Sequence, residues 1–282
     1  MKIYGIFGFP LRHTLSPAMQ EAAFEKSGLD ASYLSLELDP PSFKKLAAYF
    51  SKCRLAGFNI TVPYKQTVIP YLDAVSRDAA LIGAVNTVKR SGKKFNGHNT
   101  DWQGFVDALK EARFNPAGKK AVVLGAGGAA RACVYGLLKK GVREIVIFNR
   151  RPERAEKIKK DFKRIFPGMR AKVYSLKHDA LKTELKNADL LLNTTSLGLK
   201  NDDSLPARAE VIPAGKLLVY DLIYNPLETP FLKMAKRKGK RVLNGVSMLL
   251  YQGARAFEIW TGRKAPVALM RRVLLEKLGP KS

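Results

Sequence analysis

The feature that most constrains the fold is a strand, turn, helix and second strand within residues 119–151. Apolar residues predict strands at 121–124 and 145–148, with a helical segment at 131–140 between them. The turn consists of small residues, Gly125-Ala126-Gly127-Gly128-Ala129-Ala130. Glycine permits a tight turn and lets the backbone approach a pyrophosphate, and a third small residue lets helix and strand pack closely. The run therefore predicts a dinucleotide-binding βαβ unit with the phosphates at the N-terminus of its helix.

A group of basic residues follows the second strand of this unit. A unit that binds NAD usually carries Asp or Glu at this place, to hold the ribose 2′-hydroxyl. This chain instead has Asn149, Arg150 and Arg151, with Arg154 a little further on. Guanidinium groups bind a 2′-phosphate through paired, charge-assisted hydrogen bonds. We therefore expect NADP as the cofactor, held by the turn residues 125–129 and these four side chains.

Length and composition limit the remaining choices. A chain of 282 residues corresponds to about two domains. No apolar run approaches the roughly 18 residues that a membrane span needs, and the N-terminus lacks the features of a signal peptide. Cys53 and Cys133 fit no zinc pattern, and the three histidines share no ligand spacing. We therefore expect a cytoplasmic protein without a metal or a membrane partner.

The net charge is unusual for an enzyme. Fifty Lys and Arg residues against 24 Asp and Glu residues leave a formal charge of +26. The basic residues are dispersed, with denser patches at 157–164 and 233–241 on or beside amphipathic helical segments. A solvated outer face is the expected role of both patches. A polyanion-binding protein on this scaffold remains a remote alternative, because such a surface attracts nucleic acid.

The second half of the chain alternates between strands and helices. Strands are predicted at 171–175, 190–193 and 217–222, with helical segments at 153–166 and 176–187. This alternation predicts a mostly parallel, doubly wound sheet of the Rossmann type. The two terminal helices follow it without adding a strand, so we expect them to return to the N-terminal domain.

The first hundred residues place polar side chains at strand and helix ends. Asn59 and Thr61 lie two apart in the predicted strand 57–63, so their side chains share a face, and Lys65 follows the strand end. Ser16 precedes a proline and is a candidate helix N-cap, as is Asp101 before the helix 102–113. Residues 84–88 and 94–99 read as a β-hairpin.

With these pieces in place, the chain resembles the shikimate dehydrogenases along nearly its whole length. The matching segments are HTLSP (13–17), GFNITVPYK (57–65), GAVNT (83–87), NGHNTDWQGF (96–105), GAGGAAR (125–131), NRR (149–151), NTTSLGL (193–199), YDLIYNPLETPF (220–231) and NGVSMLLYQG (244–253). The resemblance implies an α/β substrate domain at 1–102, an NADP-binding Rossmann domain at 103–244, and C-terminal helices at 245–282 that pack on the first domain.

The resemblance also implies an activity and a set of site residues. The reaction is the reversible, NADP-linked oxidation of shikimate to 3-dehydroshikimate, a step of aromatic amino-acid biosynthesis, with Lys65 and Asp101 as the catalytic pair. Removing a hydride from C3 while its hydroxyl loses a proton requires a basic group within hydrogen-bond reach. The implied substrate residues are Thr14, Ser16, Asn59, Thr61, Asn86, Tyr224 and Gln252. Further implied cofactor contacts are Thr194, Leu222, Gly245 and Met248.

Two positions depart from the family pattern. Thr14 stands where the family more often has serine, and its added methyl group leaves open a tolerance for quinate. A quinate/shikimate dehydrogenase of relaxed specificity that also accepts NAD is therefore an alternative. Arg151 stands where threonine is frequent, and it keeps the site cationic. The expected partner is a small-molecule substrate rather than a specific nucleic acid, in a monomer or a homodimer.

Overall fold

The chain folds into two compact units, which are described separately. The computed structural model describes residues 1–11, 14–198 and 205–279. The first unit consists of Met1–Gly104 and Leu250–Ser282, and the second of Phe105–Leu249. The chain therefore leaves the first unit near the start of one helix and re-enters it inside another. The boundaries expected from sequence, 102/103 and 244/245, stay predictions beside this division.

The first unit is built on a mixed six-stranded sheet. Its strands are β1 (Lys2–Gly8), β2 (Ala31–Glu37), β3 (Gly57–Ile60), β4 (Ala74–Val75), β5 (Thr87–Ser91) and β6 (Lys94–His98), in the order β2-β1-β3-β5-β6-β4. Strands β2, β1 and β3 are parallel, whereas β3, β5 and β6 pair antiparallel. The predicted hairpin is confirmed as β5 and β6.

Helices surround this sheet or begin at its edge. They are α1 (Ser16–Lys26), α2 (Pro40–Ala47), α3 (Arg77–Ile82), α4 (Asp101–Glu111), α9 (Val246–Thr261) and α10 (Val267–Leu278). Helix α10 packs against α1. Helix α2 ends at Ala47 and is followed by a 3₁₀ turn, Phe50–Lys52.

The expectation that Ser16 caps α1 is wrong. Ser16 is the first helical residue, and Leu15 stands at the cap position without a side-chain hydrogen bond. The Thr14 hydroxyl, 3.4 Å away, accepts from the Ser16 backbone amide instead. The Ser16 hydroxyl therefore has no capping role.

An aromatic core in the first unit fixes the segment that follows β3. The Phe43 and Tyr64 rings stack with centroids 3.9 Å apart and an interplanar angle of 2°. Tyr64 is fully buried, and its hydroxyl donates to the Leu38 carbonyl. Because Lys65 is the next residue, its backbone is anchored in this core.

The second unit contains a six-stranded sheet in which every strand is parallel to its neighbours. Its strands are β7 (Lys120–Leu124), β8 (Glu144–Asn149), β9 (Ala171–Ser175), β10 (Leu190–Asn193), β11 (Leu218–Asp221) and β12 (Arg241–Leu243), in the order β12-β11-β10-β7-β8-β9. The helices are α5 (Gly128–Lys139), α6 (Pro152–Ile165), α7 (His178–Leu185) and α8 (Pro230–Arg237). This strand order confirms the doubly wound Rossmann prediction.

Strand order also locates the ligand edge of the second unit. The order reverses between β7 and β10, and ligands of such sheets bind beyond the carboxyl ends of the strands at this point. The glycine turn follows β7, and Thr194 follows β10. Strand β12 was not predicted, because it is short and begins at the exposed Arg241.

Across the described residues, no helix combines the length and the apolar character required to cross a membrane.

Candidate active site and dinucleotide site

Lys65 and Asp101 form a close ion pair in the first unit. The Lys65 Nζ donates to Oδ2 of Asp101 across 2.6 Å, and the two side chains are 14% and 5% exposed. The Lys65 carbonyl accepts from the Val85 amide at 2.7 Å, which fixes the segment after β3 against the segment before β5. A charged pair this shielded from water interacts more strongly than one on the surface.

The side chain that caps α4 belongs to Asn99 and not to Asp101. Oδ1 of Asn99 accepts from the backbone amides of Asp101 and Trp102, at 3.1 and 3.3 Å. The alternative in which Asp101 serves as a helix cap is therefore wrong. Its carboxylate instead accepts from two side chains, those of Lys65 and Asn86.

Asn86 lies at the centre of the polar cluster. Its Nδ2 donates to Oδ1 of Asp101 at 2.9 Å and lies 3.3 Å from Oε1 of Gln252 on α9. Its Oδ1 accepts from the Thr100 amide at 2.7 Å. With Lys65, the cluster thus brings together four predicted site residues from four separate parts of the sequence.

Asn59 is also part of this cluster, but its hydrogen bonds hold the fold. Its Nδ2 lies 3.0 Å from both the Asn86 carbonyl and Oγ1 of Thr87, which uses both amide hydrogens. Its Oδ1 accepts from the Tyr33 hydroxyl at 2.6 Å. The predicted substrate contact of Asn59 can therefore use only its remaining acceptor capacity.

Ser16 and Thr61 have side-chain hydroxyls that are available to a ligand. Ser16 is buried and Thr61 is half-buried, and the described part of the chain offers neither hydroxyl a hydrogen-bond partner. Both residues are short polar donors of the kind that a carboxylate or a sugar-like hydroxyl requires.

The glycine turn of the second unit has the shape that a pyrophosphate needs. Gly125 has φ +110°, and a Cβ there would lie 2.4 Å from Oγ1 of Thr194, so a side chain is excluded. A Cβ on Gly127 would meet no atom within 4 Å. Among the described residues, no side chain caps the α5 N-terminus at Gly127. Open space before uncapped amides fits a phosphate group.

The arginine side chains after β8 are available to bind a ribose 2′-phosphate. Arg150, Arg151 and Arg154 are exposed, and none of the described carboxylates pairs with them. Nδ2 of Asn149 donates to the Arg151 carbonyl at 2.7 Å and shapes this segment. These cations fit a ribose 2′-phosphate.

Arg131, which also belongs to the glycine-turn motif, has a different role. It is buried and pairs with Asp161 on α6 at 2.8 Å. It therefore stabilises the packing of α5 on α6.

The remaining predicted cofactor residues lie on loops that a buried polar network fixes. Nδ2 of Asn193 donates to Oδ1 of Asp221 at 2.9 Å, and the Thr229 hydroxyl donates to Oδ2 of Asp221 at 2.8 Å. Burial raises the pKa of Asp221. A Cβ on Gly245 would lie 2.0 Å from the Leu222 carbonyl oxygen, so the two loops touch.

Two more predicted site residues in the second unit are largely shielded from water. Met248 is buried on α9, and burial raises the pKa of the Tyr224 hydroxyl.

Sequence reasoning missed several residues that support the site. They are Tyr33, Thr87, Asn99, Thr100, Asn193 and Asp221. Five of them stand inside or beside the segments that carried the resemblance, so that signal was present. Tyr33 stands outside every one of those segments.

The chain combines a Rossmann unit, whose phosphate site is bordered by arginines, with a lysine–aspartate pair that is shielded from water. This combination defines a dinucleotide-dependent oxidoreductase that acts on an alcohol. Three family models match the chain: the shikimate dehydrogenase substrate binding domain over residues 6–88, shikimate / quinate 5-dehydrogenase over 108–200, and the shikimate 5'-dehydrogenase C-terminal domain over 245–275. The chain belongs to the shikimate dehydrogenase family.

Individual relatives agree with this assignment. The shikimate dehydrogenase (NADP(+)) of Moorella thermoacetica is 46% identical over 282 residues, which covers 99% of this chain and 95% of that protein. The crystal structure of shikimate dehydrogenase from Aquifex aeolicus is 40% identical with a TM-score of 0.87 and covers 97% of each chain. Shikimate 5-dehydrogenase from Thermus thermophilus, solved in complex with NADP(H) and shikimate, is 37% identical with a TM-score of 0.86, and the match covers 99% of this chain and 100% of that one.

Proposed function

We propose that this protein is an NADP-dependent shikimate dehydrogenase in which Lys65 and Asp101 form the catalytic pair. The observation that carries the proposal is the 2.6 Å contact between Lys65 Nζ and Asp101 Oδ2 inside a polar cluster shielded from water. The contact supplies an ammonium group and a carboxylate, the two groups that proton exchange with an alcohol requires.

The proposed chemistry is a proton transfer coupled to a hydride transfer at C3. Bound NADPH supplies the hydride for the reduction of the C3 carbonyl. Lys65 donates a proton from Nζ to the oxygen as it becomes an alkoxide, and solvent returns a proton to the amine afterwards. Asp101 accepts a hydrogen bond from Nζ and holds the lysine in one orientation. In the oxidation of shikimate the same groups act in reverse, and Lys65 takes the hydroxyl proton.

Short polar side chains around this pair suit the rest of the substrate. Shikimate carries a carboxylate and three hydroxyls. The hydroxyls of Thr14, Ser16 and Thr61, with the amides of Asn86 and Gln252, supply donors and acceptors for them. Asn59 acts chiefly by holding Asn86, and Tyr224 by closing the carboxylate or nicotinamide end.

For the cofactor, we assign the pyrophosphate to Gly125, Gly127 and the α5 N-terminus, and the 2′-phosphate to Arg150, Arg151 and Arg154. The remaining proposed contacts are Ala126, Gly128, Ala129, Asn149, Thr194, Leu222, Gly245 and Met248. The basic patches at 157–164 and 233–241 are solvated outer faces in this assignment. We also propose that the protein is a monomer or a homodimer and that it works in the cytoplasm.

The test is a rise in absorbance at the NADPH band when NADP is mixed with shikimate as the sole second substrate. We expect turnover with shikimate and NADP, and weaker turnover with quinate or with NAD. Comparable kcat/KM values for shikimate and quinate would favour the alternative of an enzyme with relaxed substrate specificity, which the methyl group of Thr14 leaves open. No turnover with either acid would contradict the proposal.

A further inference from the structure

We propose that Tyr33 and Thr87 are positioning residues, which orient Asn86 and through it the Lys65–Asp101 pair. This inference rests on the proposed function. Neither residue reaches the reacting atoms in the assignment above. Both are buried in the first unit, Tyr33 on β2 and Thr87 at the start of β5.

Hydrogen bonds lead without interruption from Tyr33 to Asn86. The Tyr33 hydroxyl donates to Oδ1 of Asn59 at 2.6 Å, and Nδ2 of Asn59 donates to Oγ1 of Thr87 at 3.0 Å. The Thr87 hydroxyl lies 3.2 Å from Oδ1 of Asn86 and donates to it.

The same direction of donation continues to the catalytic pair. Nδ2 of Asn86 donates to Oδ1 of Asp101 at 2.9 Å, and the other carboxylate oxygen, Oδ2, accepts from Lys65 at 2.6 Å. Each carboxylate oxygen of Asp101 therefore receives a donor from a different side. The plane of the carboxylate depends on both.

The chemistry of each group sets the direction of this chain. The backbone carbonyl oxygen of Asn86 can only accept, and it accepts from the Ile60 amide at 2.9 Å. The atom of Asn59 that faces this oxygen must therefore be the donor Nδ2. This fixes Nδ2 of Asn59 toward Asn86 and Oδ1 toward Tyr33. Tyr33 must then donate. Thr87, which accepts from Asn59, can give its own proton to Oδ1 of Asn86 or to Oγ1 of Thr100, each 3.2 Å away.

Burial makes the Tyr33 hydroxyl a dependable donor. Desolvation raises its pKa well above 10.0, so it keeps its proton throughout the working range of the enzyme. Removing the hydroxyl would leave Oδ1 of Asn59 buried without this donor, which favours rotation of the amide.

A neighbouring tyrosine provides a matched control. Tyr4 on β1 is also buried, and both rings pack near Trp260, with centroids 5.0 Å from it for Tyr4 and 6.1 Å for Tyr33. Within the described residues, the Tyr4 hydroxyl has no hydrogen-bond partner. Tyr4→Phe therefore removes the same hydroxyl group from a ring that also packs near Trp260, and it leaves the hydrogen bonds of Asn59 unchanged.

The experiment compares Tyr33→Phe, Thr87→Val and their double variant with the parent enzyme, using shikimate and NADP well below each Tm. We expect each single change to lower kcat by about tenfold. We expect KM for shikimate and Kd for NADP to stay within about twofold, because substrate and cofactor contacts remain. Tyr4→Phe should leave kcat unchanged.

The double variant tests whether the two residues act through one group. Since both act on Asn86 along one series of hydrogen bonds, the double variant should lose little more kcat than either single variant, a non-additivity expected of one network. Two results would overturn the inference while the parent is active. Either Tyr33→Phe and Thr87→Val both keep kcat within twofold of the parent, or the loss of kcat in the double variant equals the full sum of the two single losses. A parent without turnover on shikimate would instead refute the proposed function.

Discussion

Lys65 and Asp101 are 36 residues apart in the chain, yet Nζ of one lies 2.6 Å from Oδ2 of the other. The lysine follows a strand and the aspartate begins a helix, so each is held by its own backbone element. Their contact is therefore a property of the fold of the first unit rather than of flexible side chains.

Lys65→Ala should abolish most of the turnover without weakening NADP binding. Loss of a positioned acid–base group lowers kcat by roughly 10²- to 10⁴-fold, whereas the glycine turn and arginines belong to the second unit. Steady-state kinetics with shikimate, together with NADP titration, measure the two effects. Lys93→Ala, in the exposed turn of the hairpin, is the control and should match the parent. A near-native kcat in Lys65→Ala would clear this lysine of the role.

Arg150→Ala should discriminate between the two nucleotides. Loss of a charge-assisted hydrogen bond to the 2′-phosphate should raise the Kd for NADP by about ten- to a hundredfold, with the Kd for NAD almost unchanged. Isothermal titration with each nucleotide provides the comparison. Lys157→Ala, an exposed cation on α6, controls for the loss of one positive charge. Equal losses for NADP and NAD would argue against the 2′-phosphate assignment.

Two glycines of one turn should respond differently to alanine. At Gly125 the positive φ and the close Thr194 hydroxyl exclude a Cβ, so Gly125→Ala should lower both Tm and NADP affinity. Gly127 has φ −89° and open space at its Cβ position. Gly127→Ala should therefore keep the parent Tm but lose NADP affinity, because its methyl occupies the proposed phosphate site. Thermal melts and NADP titration separate these effects, and unchanged affinity in Gly127→Ala would move the phosphate elsewhere.

A buried ionic network at the other end of the second sheet should control acid stability. Glu184 on α7 accepts from Lys120 at 2.6 Å, from Tyr174 at 2.9 Å and from Lys172 at 3.1 Å. Burial alone would raise the pKa of Glu184, but these three donors outweigh it and hold the pKa below its ordinary value of 4.5. The carboxylate therefore stabilises the folded state above pH 4.5, and this contribution is lost as pH falls through the lower, folded pKa.

Glu184→Gln should thus destabilise the protein by on the order of 3 kcal/mol at pH 7, because the buried Lys120 loses its 2.6 Å carboxylate partner and keeps only Glu144, 4.0 Å away. The difference from the parent should shrink below pH 4.5, where the parent carboxylate becomes protonated. Urea denaturation at several pH values measures it. Glu156→Gln, whose pair with Lys159 is exposed, should change stability by less than about 0.5 kcal/mol. A difference that does not depend on pH would contradict this account.

Local patterns were sufficient to predict most of the second unit. The turn at Gly125 depends on residues next to one another, and the alternation of strands and helices predicts the parallel, doubly wound sheet, although not its short strand β12. The first unit depends more on distant contacts. The resemblance implies a substrate contact for Asn59, and that contact stays a prediction. Nothing near Asn59 in sequence shows that Tyr33 and Thr87 also share its hydrogen bonds.

Capping showed the same limit at shorter range. Asn99 and Asp101 both stand before α4, and both are good acceptors for its first amides. The choice of Asn99 follows from the position of Lys65, which attracts the Asp101 carboxylate. The residues next to Asp101 do not reveal this neighbour, because Lys65 stands 36 residues earlier, and only the family resemblance paired the two.

The return of α9 to the first unit affects the order in which the two units can fold while the chain is being translated. Trp260 donates to the Val88 carbonyl, 172 residues earlier, and Gln252 reaches Asn86 across 166 residues. A ribosome therefore releases the sheet that carries Lys65 long before the helix that covers it has been made. Because domains generally fold as units while the chain emerges, the nucleotide-binding unit can be complete first. The unit translated first would then be the last to finish folding.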